Sequence, residues 1–344
     1  MLDDEHYVRR IDADNALAVT ATQPEQLSYT PALTLEAIDK DKIDQVVFVG
    51  MGGSALAAAL CQNWWSDRLA VPFIVIRDYK LPAYANDRTL IICASYSGNT
   101  EEVLSCFIEA KRIQAQIIVM ASGGELRDLA QADNSTFIEL PTGYQPRMAV
   151  WYGVKSLATL FEALKLVEDA TNELQQAEGL LRSAAKAWEL SVPTDSNYAK
   201  QIAEQLMGKA VWIYASASLA SAAYKWKIDF NENAKSVASW NELPEFNHNE
   251  FIGWTSHPVE KPFGIVELRS HLDHPQVQKR FDLSNRLLSG QMPAPIEVEV
   301  KGQNRLEQLL WSCLLGDFVS VYSGILNGVN PVRVETIEKL KGQL

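Results

Sequence analysis

The sequence predicts an α/β protein with two parallel sheets in tandem, each flanked by helices. Three observations predict it. Short apolar runs alternate with helical stretches through the first half. A proline-free helical stretch follows. A second series of apolar runs then repeats the alternation.

Residues 1–40 read as helix and loop, punctuated by Asp12, Asp14 and Pro31. Gln45–Gly50 is a short apolar run ending at glycine, as a buried parallel strand does. Ser54–Trp65 is rich in Ala and Leu, hence helical. Further strands are predicted at Phe73–Ile76, Thr89–Ala94, Gln116–Met120 and Thr136–Leu140, with helices at Glu101–Ile113 and around Glu125–Gln131. Residues 148–190 contain no Pro and suit a helical connector, which Val192-Pro193-Thr194-Asp195 breaks. Ala210–Tyr214 is then a strand, Ser218–Asn233 a helix, and Phe263–Leu268 and Ile296–Val300 strands. A long apolar helix runs from about Arg305 to Leu326. The expected organisation is a helical segment (1–40), a first α/β domain (41–150), a connector (151–195) and a second α/β domain with C-terminal helices (196–344). The halves look like one architecture used twice, judged from strand order rather than a sequence period.

The 344 residues, 47% hydrophobic and 22% charged, fit a soluble globular protein with two domains of ordinary size. No apolar run is read as reaching the roughly 18 residues of a membrane helix. The acidic opening Met1-Leu2-Asp3-Asp4-Glu5 is unlike an export signal, so a cytoplasmic location is expected. Cys61, Cys93, Cys106 and Cys313 are scattered through apolar contexts and read as buried reduced thiols. A net charge of −12 with no basic patch argues against nucleic acid as a partner.

Val49-Gly50-Met51-Gly52-Gly53-Ser54 joins a strand to a helix. Glycines there let the backbone approach a ligand, and the helix start presents N–H groups and a positive dipole end to an anion. The string is not a clean dinucleotide fingerprint and lacks the Gly-Lys-Ser/Thr of a nucleotide P-loop. The strand at 89–94 ends in Ser95-Tyr96-Ser97-Gly98-Asn99-Thr100-Glu101-Glu102. A capping box with Glu102 is one reading, but capping needs one hydroxyl and this turn carries three. Two hydroxyl-rich turns at neighbouring strand ends suit a phosphate monoester, and Ser122-Gly123-Gly124 repeats the theme.

Gly-Gly-Ser after one strand and Ser-Tyr-Ser-Gly-Asn-Thr after the next resemble a sugar-isomerase (SIS) domain. That resemblance implies a flavodoxin-like sandwich with both turns at the carboxyl edge of one sheet. Gln145-Pro146-Arg147, Asn231-Glu232-Asn233-Ala234-Lys235 and His248-Asn249-Glu250 follow in this order. Together they resemble the bifunctional phosphoglucose/phosphomannose isomerase family, built from two SIS domains, from about residue 45 to the C-terminus.

The resemblance implies aldose–ketose isomerisation through an enediolate, a step of glycolysis and gluconeogenesis. Such chemistry needs a carboxylate base, a ring-opening group, a cation near the oxyanion and a phosphate anchor. By resemblance Glu232 is the base, His248 opens the ring from a neighbouring subunit of a homodimer, and Arg147 stabilises the enediolate. Gly52, Gly53, Ser54, Ser95, Ser97 and Thr100 hold the phosphate. No cofactor, metal or membrane partner is implied. Read from the residues alone, Glu232 would be a helix-end carboxylate paired with Lys235. His257, His271 and His274 read as surface or capping histidines, and Trp212, Trp226 and Trp240 as core and interface packing.

The family ends in Asp-Pro-Thr and a short helix with an active-site lysine. Here Asn330 and Val332 replace the acid and the threonine, and Lys339 and Lys341 both stand for the lysine. The threonine change touches mannose 6-phosphate turnover more than glucose 6-phosphate turnover. Two rivals remain: a phosphosugar-binding regulator that has lost catalysis, and an aminosugar-phosphate isomerase, which would need an amidotransferase partner.

Overall fold

The structure is a computed structural model that describes residues 1–256 and 260–343, so His257 lies outside the described residues. The chain opens with helices α1 (Glu5–Ile11) and α2 (Ala16–Thr22). Then come β1 (Gln45–Gly50), α3 (Gly52–Trp64), β2 (Phe73–Ile76), β3 (Thr89–Ser95), α4 (Glu101–Arg112), β4 (Gln116–Ala121), α5 (Gly124–Asp133) and β5 (Thr136–Glu139). Helices α6 (Val150–Ala163), α7 (Ala170–Trp188) and α8 (Tyr198–Leu206) lead to β6 (Ala210–Ser216), α9 (Ala220–Glu232), β7 (Ala238–Leu243), α10 (Glu250–Gly253), β8 (Phe263–Arg269), α11 (Pro275–Leu287) and β9 (Ile296–Glu299). The chain finishes with α12 (Arg305–Leu326) and α13 (Glu335–Lys341). Every predicted strand is present, within two residues at each end.

The chain forms two compact units, Gln23–Glu178 and Met1–Thr22 with Gly179–Leu344. The boundary therefore falls inside α7, and the N-terminal forty residues divide between the units.

In Gln23–Glu178 the sheet order is β2-β1-β3-β4-β5, all parallel. Gly50 pairs with Ala94 and Ser95 with Ala121, so three strands end level. One face packs Val47, Val49, Ile91, Cys93 and Val119 against Val103 and Phe107 of α4 and Leu126 of α5. On the other side α3 meets α6, where a Cβ on Gly153 would come within 2.7 Å of the Ala57 Cβ. Trp65, just past α3, stacks on Phe161 with ring centroids 4.8 Å apart.

The second unit has sheet order β7-β6-β8-β9, again all parallel. Strands β7, β6, β8 and β9 repeat the order of β2, β1, β3 and β4, so the predicted reuse of one architecture holds. Sequence reading missed β7, α8 and α11. β7 (Ala-Ser-Trp-Asn-Glu-Leu) is a half-buried edge strand with no apolar run to announce it.

The core of this unit is α12, buried at every residue from Gln308 to Leu326. It is long and apolar enough to cross a membrane by length and composition, which corrects the reading that no run reaches that length. Ser312, Gly316, Ser320 and Gly324 interrupt its apolar string in the sequence, which hid it. Helices apolar all round are buried ones, and this one packs on α9, α8 and α2. Its Asp317 sits in a buried ion cluster, with Lys225 Nζ 2.5 Å from Asp317 and 2.7 Å from Asp229. Burial works against the Lys225 charge, but the two carboxylates outweigh it and push the group up.

Glu267 on β8 is almost fully buried, and burial pushes its carboxyl up to about 7 against the pull of Asn285 and Arg269. The folded form therefore holds a proton that the unfolded form has lost. Stability from this group is full below pH 4.5, the ordinary value, and is lost as pH rises to about 7. Glu267→Gln is expected to flatten the stability–pH curve by up to about 3 kcal/mol across that window, measured by urea denaturation.

Candidate functional site

The hydroxyl turns lie where the first sheet's strand order reverses, between β1 and β3, the usual ligand position in open α/β sheets. Helix α3 starts at Gly52 with no side chain capping it. Helix α4 starts after Thr100, again with no side-chain cap, so the capping box with Glu102 is absent. The Thr100 hydroxyl instead meets Ser95 Oγ at 2.7 Å, and Ser95 Oγ accepts from the Gly98 N–H at 3.1 Å. Ser54 Oγ accepts from the Tyr96 N–H at 3.0 Å, which joins the two turns. Ser97 Oγ accepts from the Asn99 N–H at 3.3 Å and is exposed. Two uncapped helix starts and four hydroxyls thus share one strand edge, an arrangement suited to a small anion.

Glycine is required at two points here. Gly98 has φ +77°, and a Cβ would lie 1.8 Å from the Gly123 carbonyl oxygen. Gly53 lets the Pro146-Arg147 backbone close on α3, since a Cβ would lie 2.5 Å from the Pro146 carbonyl carbon. Arg147 is thereby held beside the α3 start, and it is only 1% exposed. The loop before it is tied by Tyr96, whose hydroxyl donates to the Pro141 carbonyl at 2.7 Å and accepts from the Tyr144 N–H at 3.2 Å. Sequence reading assigned Tyr96 no role. Its place inside the Ser-Tyr-Ser-Gly string was the only signal.

Asn99 Oδ1 accepts from the Glu125 N–H at 2.9 Å and so caps α5 from the neighbouring turn. Ser122 Oγ donates to the Tyr96 carbonyl at 2.5 Å. The Ser122-Gly123-Gly124 turn therefore buttresses the cradle from behind.

In the second unit, Glu232 is the last residue of α9 and is half-buried. The turn after it is closed by many bonds. Asn231 Nδ2 donates to the Ser236 carbonyl at 2.9 Å, Asn233 Nδ2 to Ser320 Oγ at 2.9 Å, and Asn327 Nδ2 to the Ala234 carbonyl at 3.0 Å. Gly324 of α12 lets the Asn233 carbonyl in, since a Cβ would lie 2.5 Å from that oxygen. Lys235 Nζ donates to the Glu232 carbonyl at 2.8 Å and to the Asn330 and Pro331 carbonyls at 2.5 and 3.3 Å. Asn330 Oδ1 accepts from the Val332 N–H at 2.9 Å, and its Nδ2 donates to Asp14 at 3.0 Å. The structure thus brings Glu232, Lys235 and the Asn330-Pro331 segment together.

His248 stands on a separate loop after β7 and is exposed. The loop is fixed around it. Phe246 is buried, Asn247 Nδ2 donates to Ser284 Oγ at 2.8 Å, and Glu250 accepts from Tyr214 and from Asn241 Nδ2 at 2.7 Å. Burial and then the Glu250 carboxylate push the Tyr214 phenol up, which keeps it a donor. Lys339 and Lys341 lie on α13, which has no buried residue. His274 Nδ1 caps α11 by accepting from the Gln276 N–H at 3.1 Å, and His271 Nδ1 meets Gln308 Nε2 at 3.1 Å. Trp226 is buried, while Trp212 and Trp240 are half-buried against Phe263 and Tyr224.

Gly98→Ala is expected to lower stability by at least about 2 kcal/mol in urea denaturation and to abolish binding of inorganic phosphate in calorimetry.

The family model of the bacterial phospho-glucose isomerase C-terminal SIS domain matches residues 195–344. A bifunctional phosphoglucose/phosphomannose isomerase of Caldicellulosiruptor bescii is 36% identical over 309 residues, covering 89% of this chain and 91% of that protein. The enzyme of the same name from Aquifex aeolicus is 32% identical, covering 87% and 90%. Among solved structures, a hypothetical protein from Thermus thermophilus superposes with a TM-score of 0.74 at 14% identity, covering 98% of this chain and 93% of that one. That likeness concerns the fold, whereas the sequence matches reach further: the chain belongs to the bifunctional phosphoglucose/phosphomannose isomerase family.

Proposed function

We propose that the protein interconverts glucose 6-phosphate and fructose 6-phosphate, with mannose 6-phosphate as a second and weaker aldose substrate. The observation that carries this reading is the match to the isomerases over nine-tenths of the chain, with the hydroxyl cradle intact. Residues 41–150 and 196–344 would be the two SIS domains. The buried free thiols suit a reducing compartment such as the cytoplasm, where the reaction serves glycolysis and gluconeogenesis.

Ser54, Ser95, Ser97 and Thr100, with the N–H groups at Gly52 and Gly53, hold the phosphate. Anchoring it fixes the far end of the open-chain sugar and converts proton transfer into an intramolecular event. Glu232 takes the proton from C2 of the aldose and returns it to C1, while the hydroxyl proton moves from O2 to O1. The carbonyl thereby passes from C1 to C2, and atoms balance without a cofactor. Arg147 stabilises the enediolate between the two proton transfers. His248, exposed on its fixed loop, protonates the ring oxygen during opening and is supplied by the second subunit of a homodimer. Lys339 or Lys341 enters from α13. Val332 offers methyl groups where the family has a hydroxyl, which weights the reaction towards glucose 6-phosphate.

Purified protein in EDTA should form fructose 6-phosphate from either aldose phosphate, and Glu232→Gln should lose at least about 10³-fold in kcat while still binding the phosphosugar. Tight binding without turnover in the wild type would select the regulator reading. Mixing inactive Glu232→Gln and inactive His248→Ala dimers should restore activity through hybrids with one complete site. No recovery after subunit exchange would place His248 in the same subunit's site.

A further inference from the structure

We propose that Lys235 is a positioning residue, an ammonium clamp that holds the Glu232 end of α9 to the Asn330-Pro331 segment. The inference rests on the reading of Glu232 as the base and deepens it.

Lys235 has φ +52°, in the left-handed region that favours glycine or asparagine. A lysine there carries a backbone cost of order 1 kcal/mol, so its side chain must return something. The ammonium has three N–H donors and no acceptor. Its donors meet three backbone carbonyls: Glu232 at 2.8 Å, Asn330 at 2.5 Å and Pro331 at 3.3 Å. The first belongs to the residue that carries the base. The other two open the segment that leads to α13 with Lys339 and Lys341. Sequence separation between the clamped parts is 95 and 96 residues, so no local turn could replace the link.

The clamp also places a cation at the C-terminal end of α9, where the last carbonyls carry partial negative charge. Around it other bonds close the turn: Asn327 Nδ2 donates to the Ala234 carbonyl at 3.0 Å, and the Ser236 N–H donates to the Phe230 carbonyl at 3.1 Å. Lys235 is the charged member of that set, and it joins two elements on which the proposed chemistry depends. Without it, α9 and α12 remain packed through Gly324 and the Asn233–Ser320 bond, so the unit folds while the Glu232 carboxylate drifts. A displacement of about 1 Å at a catalytic group costs of order 10²-fold in rate.

The test compares Lys235→Met, Lys235→Arg and Glu232→Gln in the full-length protein, with kcat and KM for glucose 6-phosphate and the affinity for the non-isomerisable 6-phosphogluconate. Expected for Lys235→Met is a roughly 10- to 100-fold fall in kcat, with KM and inhibitor affinity within about two-fold of wild type. Lys235→Arg, which keeps the charge and the donors, should recover at least half of the loss on a logarithmic scale. A kcat for Lys235→Met within two-fold of wild type, beside a silent Glu232→Gln, sinks the clamp alone. Equal loss in the Met and Arg variants sinks it too. Full turnover in Glu232→Gln instead sinks the base assignment on which the clamp rests. Hydrogen exchange keeps the test open to a misfolded variant: in Lys235→Met, faster exchange is expected at the Asn330, Val332 and Arg333 amides and at the end of α9, with the rest of the unit unchanged. Global loss of protection would show that Lys235 maintains the fold rather than the site.

Discussion

The close approach of Gly98 to the Gly123 carbonyl fixes the hydroxyl-rich turn after β3, on which the geometry of this strand edge depends. Two strand-to-helix turns can share a small anion only if their backbones come closer than side chains allow. Gly98 brings the turn after β3 that close to the turn after β4, where the Ser122 and Asn99 bonds hold it, while Ser54 Oγ ties the α3 start to the same turn through the Tyr96 N–H. With the turns so placed, Ser54 Oγ reaches across to the turn after β3, while the Ser95 and Thr100 hydroxyls bond within that turn rather than to helix ends. Helix starts left without side-chain caps keep their positive ends available. The parallel sheet underneath supplies level strand ends, and Gly53 admits the Arg147 loop beside them.

Much of this was legible in the sequence because it is local. A buried parallel strand must be an apolar run, and a turn that approaches another backbone must contain glycine. β1, β3 and β4 and their turns were therefore readable residue by residue. β7 was not, because an edge strand that is half exposed needs no apolar run; Ser239, Asn241 and Glu242 give no strand signal. The span and apolar character of α12 were readable, but not that it meets the length and composition of a membrane helix, because serines and glycines that pack against α9 look like interruptions. Lys235 was legible as a possible partner of the Glu232 carboxylate. Its bonds to carbonyls across 95 residues depend on tertiary structure that no spacing rule reveals.

The same sheet order carries different residues at the matching turns of the two units. From β3 to α4 and from β8 to α11 the turns have equal length, five residues (96–100) between Ser95 and Glu101 and five (270–274) between Arg269 and Pro275. In the first, Asn99 caps a neighbouring helix and the Ser95 and Thr100 hydroxyls bond to each other. In the second, Asp273 stands at the matching position and accepts from Ser218 at 2.7 Å, with Ser216 and Ser218 joined at 2.8 Å. A fixed carboxylate at a strand edge opposes a second anion. The duplicated architecture thus carries a cluster of hydroxyls at this edge in Gln23–Glu178 and a hydroxyl-bonded carboxylate at the matching turn of the other unit.

The discontinuity of the second unit has a bearing on how the chain acquires its structure. Gln23–Glu178 is one uninterrupted stretch and can complete its sheet while later residues are still being synthesised. The other unit needs α12, whose Ile325 carbonyl accepts the Tyr7 hydroxyl across 318 positions of chain. Helices α1 and α2 are made before α12 and can dock on it only once it is made. During synthesis their apolar faces, Val8 and Leu17 among them, stay uncovered until nearly the whole polypeptide has emerged.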